Sequence, residues 1–159
     1  MGENDFRIDT PLYGLEIYKV PLTEKEFFAI CKRLSYYAKK DGSSWFAVHS
    51  TTDHKTAAQS TIKTGRAGRP RKIVKGEKVA PHMHIGVVGI HGHRTAQSVK
   101  KAVNKKFEGS FSRVTHKNNL HAYNYVAYAF RQSDFYRSGG DFDFLEYLKH
   151  QPHDDNYFP

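Results

Sequence analysis

The apolar and polar positions fall into short runs of strand-like or helix-like period. Residues 12–20, LYGLEIYKV, are rich in β-formers and predict a first strand. Over 22–40 the period changes: Phe27, Ile30, Cys31, Leu34 and Ala38 recur at helical spacing. Thr23 and Glu26 stand as a capping box at the start of that helix, and Lys39 and Lys40 suit the dipole at its end. A DGSS turn leads into SWFAVHSTT, 44–52, a second strand. Residues 53–78 carry few large apolar side chains and predict a long exposed loop. KVAPHMHIGVVGI, 78–90, is a third strand, so the loop joins strands two and three as an extended hairpin. A second helix spans 94–107, with Thr95 as N-cap and Ala96, Val99, Val103 and Phe107 facing inward. GSFSRVTH, 109–116, predicts a fourth strand, 120–134 a third helix and 141–150 a short terminal one; the residues beyond form a tail.

This order implies an α+β fold. Its first six elements can close into a ferredoxin-like antiparallel sheet with helices on one face. The 159 residues, 38% hydrophobic and rich in Phe and Tyr, suit one domain over 1–150 with 53–78 as an inserted arm.

Charge changes the picture. Twenty-five Lys and Arg against 16 Asp and Glu leave a net +9, which favours a polyanionic partner such as nucleic acid. The cations concentrate in KTGRAGRPRKIVKGEK, 63–78: Lys63, Arg66, Arg69, Arg71, Lys72, Lys75 and Lys78 oppose only Glu77. GRPRK resembles the core of an AT-hook, although Ala67 stands where such hooks prefer Arg. Contact with the DNA backbone is the expectation for this arm. The single cysteine, Cys31, excludes an intrachain disulfide and reads as a small core residue. No run has the length of a membrane span, and the N-terminus has no signal pattern, so a reducing intracellular setting is expected. No Walker-type phosphate loop is present.

The candidate chemistry lies in PHMHIG. Residues i and i+2 of a strand share a face, so His82 and His84 project together and Met83 goes the other way. Two imidazoles on one face can share a divalent metal. His49 and Asp53, entering from the neighbouring strand, would complete a nitrogen and oxygen ligand set suited to Mn²⁺ or Mg²⁺, and Glu77 is a weaker candidate. Thiolates of a structural zinc site are missing. A second pair, His91 and His93, falls past the strand end and reads as loop. On the third helix Ala122, Val126, Ala129 and Phe130 form a core stripe, with His121, Tyr125, Tyr128 and Gln132 beside it.

PHMHIGVVG resembles the His-hydrophobic-His strand of HUH endonucleases, and WFAVHSTTD is similar to the metal-binding strand of rolling-circle replication initiators. YNYVAYAFRQ resembles their helix carrying a nucleophilic tyrosine. The resemblance spans roughly residues 12–140. It implies a metal-dependent enzyme that nicks and joins single-stranded DNA, by a hairpin at a plasmid or viral replication origin. It would do so through a covalent 5′-phosphotyrosine. The family's Tyr-x-x-Lys pattern is best matched by Tyr128 to Arg131, with Arg in place of Lys; Tyr125 is the alternative nucleophile.

Other readings stay open. A single-tyrosine transposase shares the His-hydrophobic-His motif but is usually more compact. A relaxase typically has its nucleophile near the N-terminus and three motif histidines. A histidine-triad hydrolase would need histidine where Gly86 stands. A non-catalytic basic DNA-binding module would bind without metal and form no adduct.

Overall fold

The first helix, α1 (Glu24–Asp41), begins where its sequence says it should. The Thr23 hydroxyl accepts from the Glu26 backbone N–H at 3.1 Å, and the Glu26 carboxylate accepts from the Thr23 N–H at 3.0 Å. Gly42, at φ 72°, ends it in the left-handed conformation. The structure, a computed structural model, describes residues 12–18, 21–53, 77–107, 114–115 and 119–150.

The other elements are β1 (Tyr13–Ile17), β2 (Ser44–Asp53), β3 (Glu77–Val88), α2 (Gly92–Phe107), β4 (Val114–Thr115), α3 (Asn119–Arg131), β5 (Phe135–Gly139) and α4 (Phe144–Leu148). The fold is α+β. Five strands form one antiparallel sheet in the order β4-β1-β3-β2-β5. The first four in that order have the interleaved connections expected of a ferredoxin-like arrangement. The segment joining β2 to β3, with the arm cations Lys63, Arg66, Arg69, Arg71, Lys72 and Lys75, lies outside the described residues.

Strand alternation gives the sheet two apolar faces. Leu15, Ile17, Trp45, Ala47, Met83, Ile85 and Val87 pack against α1 and α2. Phe46, Val48 and Val88 share the other core with α3 and α4. The expectation of helices on one face therefore holds for α1 and α2 only. The apolar side chains of the second face need cover as well, and α3 and α4 supply it.

The helical pattern of 120–134 also overran. α3 stops at Arg131, and β5 begins at Phe135, a strand the sequence pattern did not suggest. The stop is tertiary. The Ser50 hydroxyl donates to the Gln132 carbonyl at 2.6 Å. The Thr51 N–H and hydroxyl both donate to the Asp134 carboxylate, at 2.9 and 2.7 Å. These bonds draw the chain out of the helix and lay it along β2. No helix among the described residues is long and apolar enough to cross a membrane.

Gly86 shows how tightly the second core is filled. A Cβ built there would lie 2.1 Å from the ring of Phe46, which is wholly buried. Gly86→Ala is expected to cost about 3 kcal/mol, because the wholly buried Phe46 ring must shift to admit the methyl group. Urea denaturation checks this; an unchanged midpoint would mean that the ring repacks freely.

Buried protons give the fold an alkaline limit. Burial pushes the Cys31 thiol up from 9.0 to about 12. Burial likewise raises the phenols of Tyr125 and Tyr147. All three are neutral in the fold and ionise at lower pH in the unfolded chain. Their stabilisation is full below the unfolded values and is lost as pH climbs toward the folded ones. For Cys31 the window runs from 9 to 12, at about 1.4 kcal/mol per pH unit. Cys31→Ala should flatten the fall in urea stability between pH 9 and 11.

Candidate functional site

The register of β3 with its two neighbours builds the site. Even-numbered residues of β2 face even-numbered residues of β3, so Val48 pairs with His84 and Ser50 with His82. On the other side Glu16 of β1 pairs with His84. Directly opposed residues of an antiparallel pair share a face. Glu16, His82 and His84 therefore project together toward the layer of α3. The two imidazole centroids are 5.1 Å apart.

His84 is buried, and both ring nitrogens have partners. Nδ1 lies 3.3 Å from Glu16 Oε1, and Nε2 lies 2.8 Å from the amide nitrogen of Gln132. An ionised carboxylate only accepts, so Nδ1 carries a proton. The amide nitrogen donates, so Nε2 presents its lone pair. His82 reaches the same tautomer by another route: its Nδ1 donates to the Ala80 carbonyl at 3.0 Å, leaving Nε2 as the basic nitrogen.

Helix α3 brings its polar stripe over these rings. Tyr128 is half-buried, with its ring edge-on to His84 at a centroid distance of 6.3 Å. Tyr125, one turn earlier, is committed elsewhere. Its hydroxyl donates to the Ile85 carbonyl at 3.1 Å. Burial, reinforced by the negative charge of Glu16, holds its phenol well above the ordinary range. Gly14 makes room for that ring: a Cβ there would sit 2.5 Å from it. Gln132, almost wholly buried, closes the stripe with its amide on His84. Arg131 is exposed in the last turn of α3, where a cation suits the helix dipole.

His49 does not join this site. It pairs with Met83, so its side chain leaves the sheet on the opposite face. There Nε2 donates to the Leu22 carbonyl at 3.1 Å, and the ring stacks on Phe135 at 4.7 Å. His49 belongs to the core under α1, and its expected role as a metal ligand beside His82 and His84 is corrected. Asp53 pairs through its backbone with Glu77, three residues past Ser50 and beyond a register shift in the hairpin. The side chains of Asp53 and Glu77 lie outside the described residues. His91 is in the turn after β3, and His93 opens α2 against Tyr13; both are exposed.

Two residues of the site escaped assignment from sequence. Glu16 stands at the polar position between Leu15 and Ile17, a signal that strand alternation offers but does not link to any partner. Gln132 was visible on the tyrosine stripe without a role.

Among the described residues no three His, Cys, Asp or Glu side chains converge as a ready cation site. The donor chemistry of His82 and His84 still fits a divalent ion. In both rings Nε2 is the basic nitrogen, each with its Nδ1–H anchored on oxygen, and one of those anchors is a carboxylate.

Comparison with protein-family models, curated proteins and solved structures finds no match.

Proposed function

We propose that the chain is a metal-dependent single-strand DNA nicking and joining enzyme of the HUH endonuclease type, with Tyr128 as nucleophile and rolling-circle replication as its setting. The observation that carries this reading is the placement of Tyr128 against His84, itself paired on one sheet face with His82. A divalent ion such as Mn²⁺ or Mg²⁺, held through Nε2 of the two histidines, would supply charge stabilisation at the scissile phosphate.

The protein groups do the rest. The Tyr128 oxygen forms a bond to phosphorus as the bond from phosphorus to the 3′ oxygen breaks. The phenolic proton leaves to solvent, and the departing 3′ oxygen takes one up. One ester replaces another, so the step needs no nucleotide cofactor and runs backward when a 3′ hydroxyl attacks the phosphotyrosine. Glu16 fixes the His84 tautomer and ring orientation. The basic arm, Lys63 to Lys75, holds the DNA backbone.

A second reading has its own observation. The row Glu16–His84–Gln132 satisfies every nitrogen of a buried histidine, as a structural role requires. On that reading the chain is a basic DNA-binding module. Incubation with a diverse pool of single-stranded DNA and Mn²⁺, with and without chelator, separates the two. The enzyme reading expects a boiling-resistant adduct that chelator prevents. Metal-independent binding without an adduct would replace it with the module.

A further inference from the structure

We propose that the outer face of α2 is a second DNA-binding surface, one that holds the phosphate backbone of a duplex on the side of the sheet away from His82 and His84. This surface rests on DNA being the partner, but not on the nicking chemistry. The 16 residues of α2 include Arg94, Lys100, Lys101, Lys105 and Lys106 and no Asp or Glu. α1, beside it on the same sheet face, offsets its cations with Glu24, Glu26 and Asp41. Ala96 and Val99 of α2 are buried in the core. Their burial turns His93, Arg94, Gln97 and Lys101 outward, and all four are exposed. With Ser98 and Lys100 they line an open hollow of about 590 Å³.

What lines the hollow decides its partner. None of the lining side chains is apolar, so the hollow suits neither a small organic ligand nor insertion into a bilayer. No Phe, Tyr or Trp lines it, so it offers no platform for the bases of a single strand to stack on. Cations on a rigid helix suit instead a polyanion that is itself regular. Arg94 and Lys101 lie seven positions apart. That is about 10 Å along the helix axis, and the phosphates of a duplex strand advance about 3.4 Å each. A strand lying along α2 therefore offers each cation its own phosphate. Lys39 and Lys40, exposed in the last turn of α1, extend the positive field. The Thr95 hydroxyl donates to the Asp41 carboxylate at 2.8 Å and pins the end of α1 to the start of α2. Thr95 is wholly buried, so this bond also draws the acid at the junction inward. Phosphate contacts carry no sequence information. The surface therefore holds duplex of any sequence, while the face with Tyr128 takes the single strand.

The test is fluorescence anisotropy of the full chain, without added metal, on a short labelled duplex of arbitrary sequence and on one of its strands, across a range of NaCl. The double variant Arg94→Ala with Lys101→Ala is compared with wild type and with Lys25→Ala with Lys149→Ala. The second pair removes the same charge from exposed positions at the other end of α1 and beside α4. Circular dichroism verifies that each protein is folded. The α2 variant is expected to bind duplex about tenfold more weakly or worse. Its slope of log affinity against log salt should be shallower by about 1.8, two phosphate contacts at about 0.9 each. Its single-strand affinity and its metal-dependent adduct should match those of the charge-matched control. An equal loss of duplex binding in both double variants would overturn the proposal, because net charge alone would explain it. An equal loss on duplex and single strand would overturn it in favour of a face for any strand. An unchanged duplex slope, or no duplex binding by wild type, would leave α2 a solvated helix face. The adduct is read separately: its absence in every protein refutes the nicking reading, while the duplex slopes still decide this one.

Discussion

Tyr128→Phe is expected to abolish the covalent DNA adduct, a loss of at least about 10³-fold in nicking, while Tyr125→Phe retains it. The two phenols sit on one helical stripe, and periodicity alone does not choose between them. Their surroundings differ. Tyr125 is locked to the Ile85 carbonyl, and its proton is held by burial and by the charge of Glu16. A nucleophile must lose that proton, so both effects oppose the role. Tyr128 is half-buried and rests against the imidazole that the metal reading uses. Tyr125→Phe has a different signature. It removes a buried hydrogen bond, leaving the Ile85 carbonyl to β-sheet pairing alone, at a cost of about 1 kcal/mol. Mass spectrometry of the adduct peptide locates the attachment, and urea denaturation reads the stability. An adduct on Tyr125 would keep the chemistry and reverse the assignment.

The parts that were legible in the sequence are those that local physics decides. The capping box at Thr23 and Glu26 marked the start of α1, and the DGSS turn its end. Strand alternation put His82 and His84 on one face without knowledge of any neighbour. The parts that were not legible depend on register. A shift of one residue between β2 and β3 would carry His49 to the face of His84. Nothing in the composition of the hairpin arm sets that register, so the parity of His49 had no local signal. β5 was hidden for a related reason. The helical pattern runs smoothly to Asp134, and only Ser50 and Thr51, more than eighty positions earlier, cut it short. Glu16 lies 68 positions before His84, and only the pairing of β1 with β3 brings them together.

His84→Ala should combine two losses that His82→Ala separates. Removing the His84 ring takes one partner from the half-buried Glu16 carboxylate and the histidine acceptor from the buried Gln132 amide, and opens space beneath α3. A buried amide that loses its acceptor and an unfilled site together cost about 3 kcal/mol. His82 is half-buried and among the described residues its ring bonds only the Ala80 carbonyl, so its removal costs about 1 kcal/mol or less. Metal-dependent nicking should vanish in both variants, because one imidazole does not hold the ion. Stability should fall steeply only in His84→Ala. The contrast separates the two roles that meet in this histidine. If both variants nick normally, the pair is not a metal site, whatever their stability. If His84→Ala is inactive but as stable as wild type, the Glu16–His84–Gln132 row contributes no net stabilisation. The buried bonds would then serve only to fix the tautomer, with Nδ1 protonated and Nε2 ready to bind, and the fold would tolerate their loss.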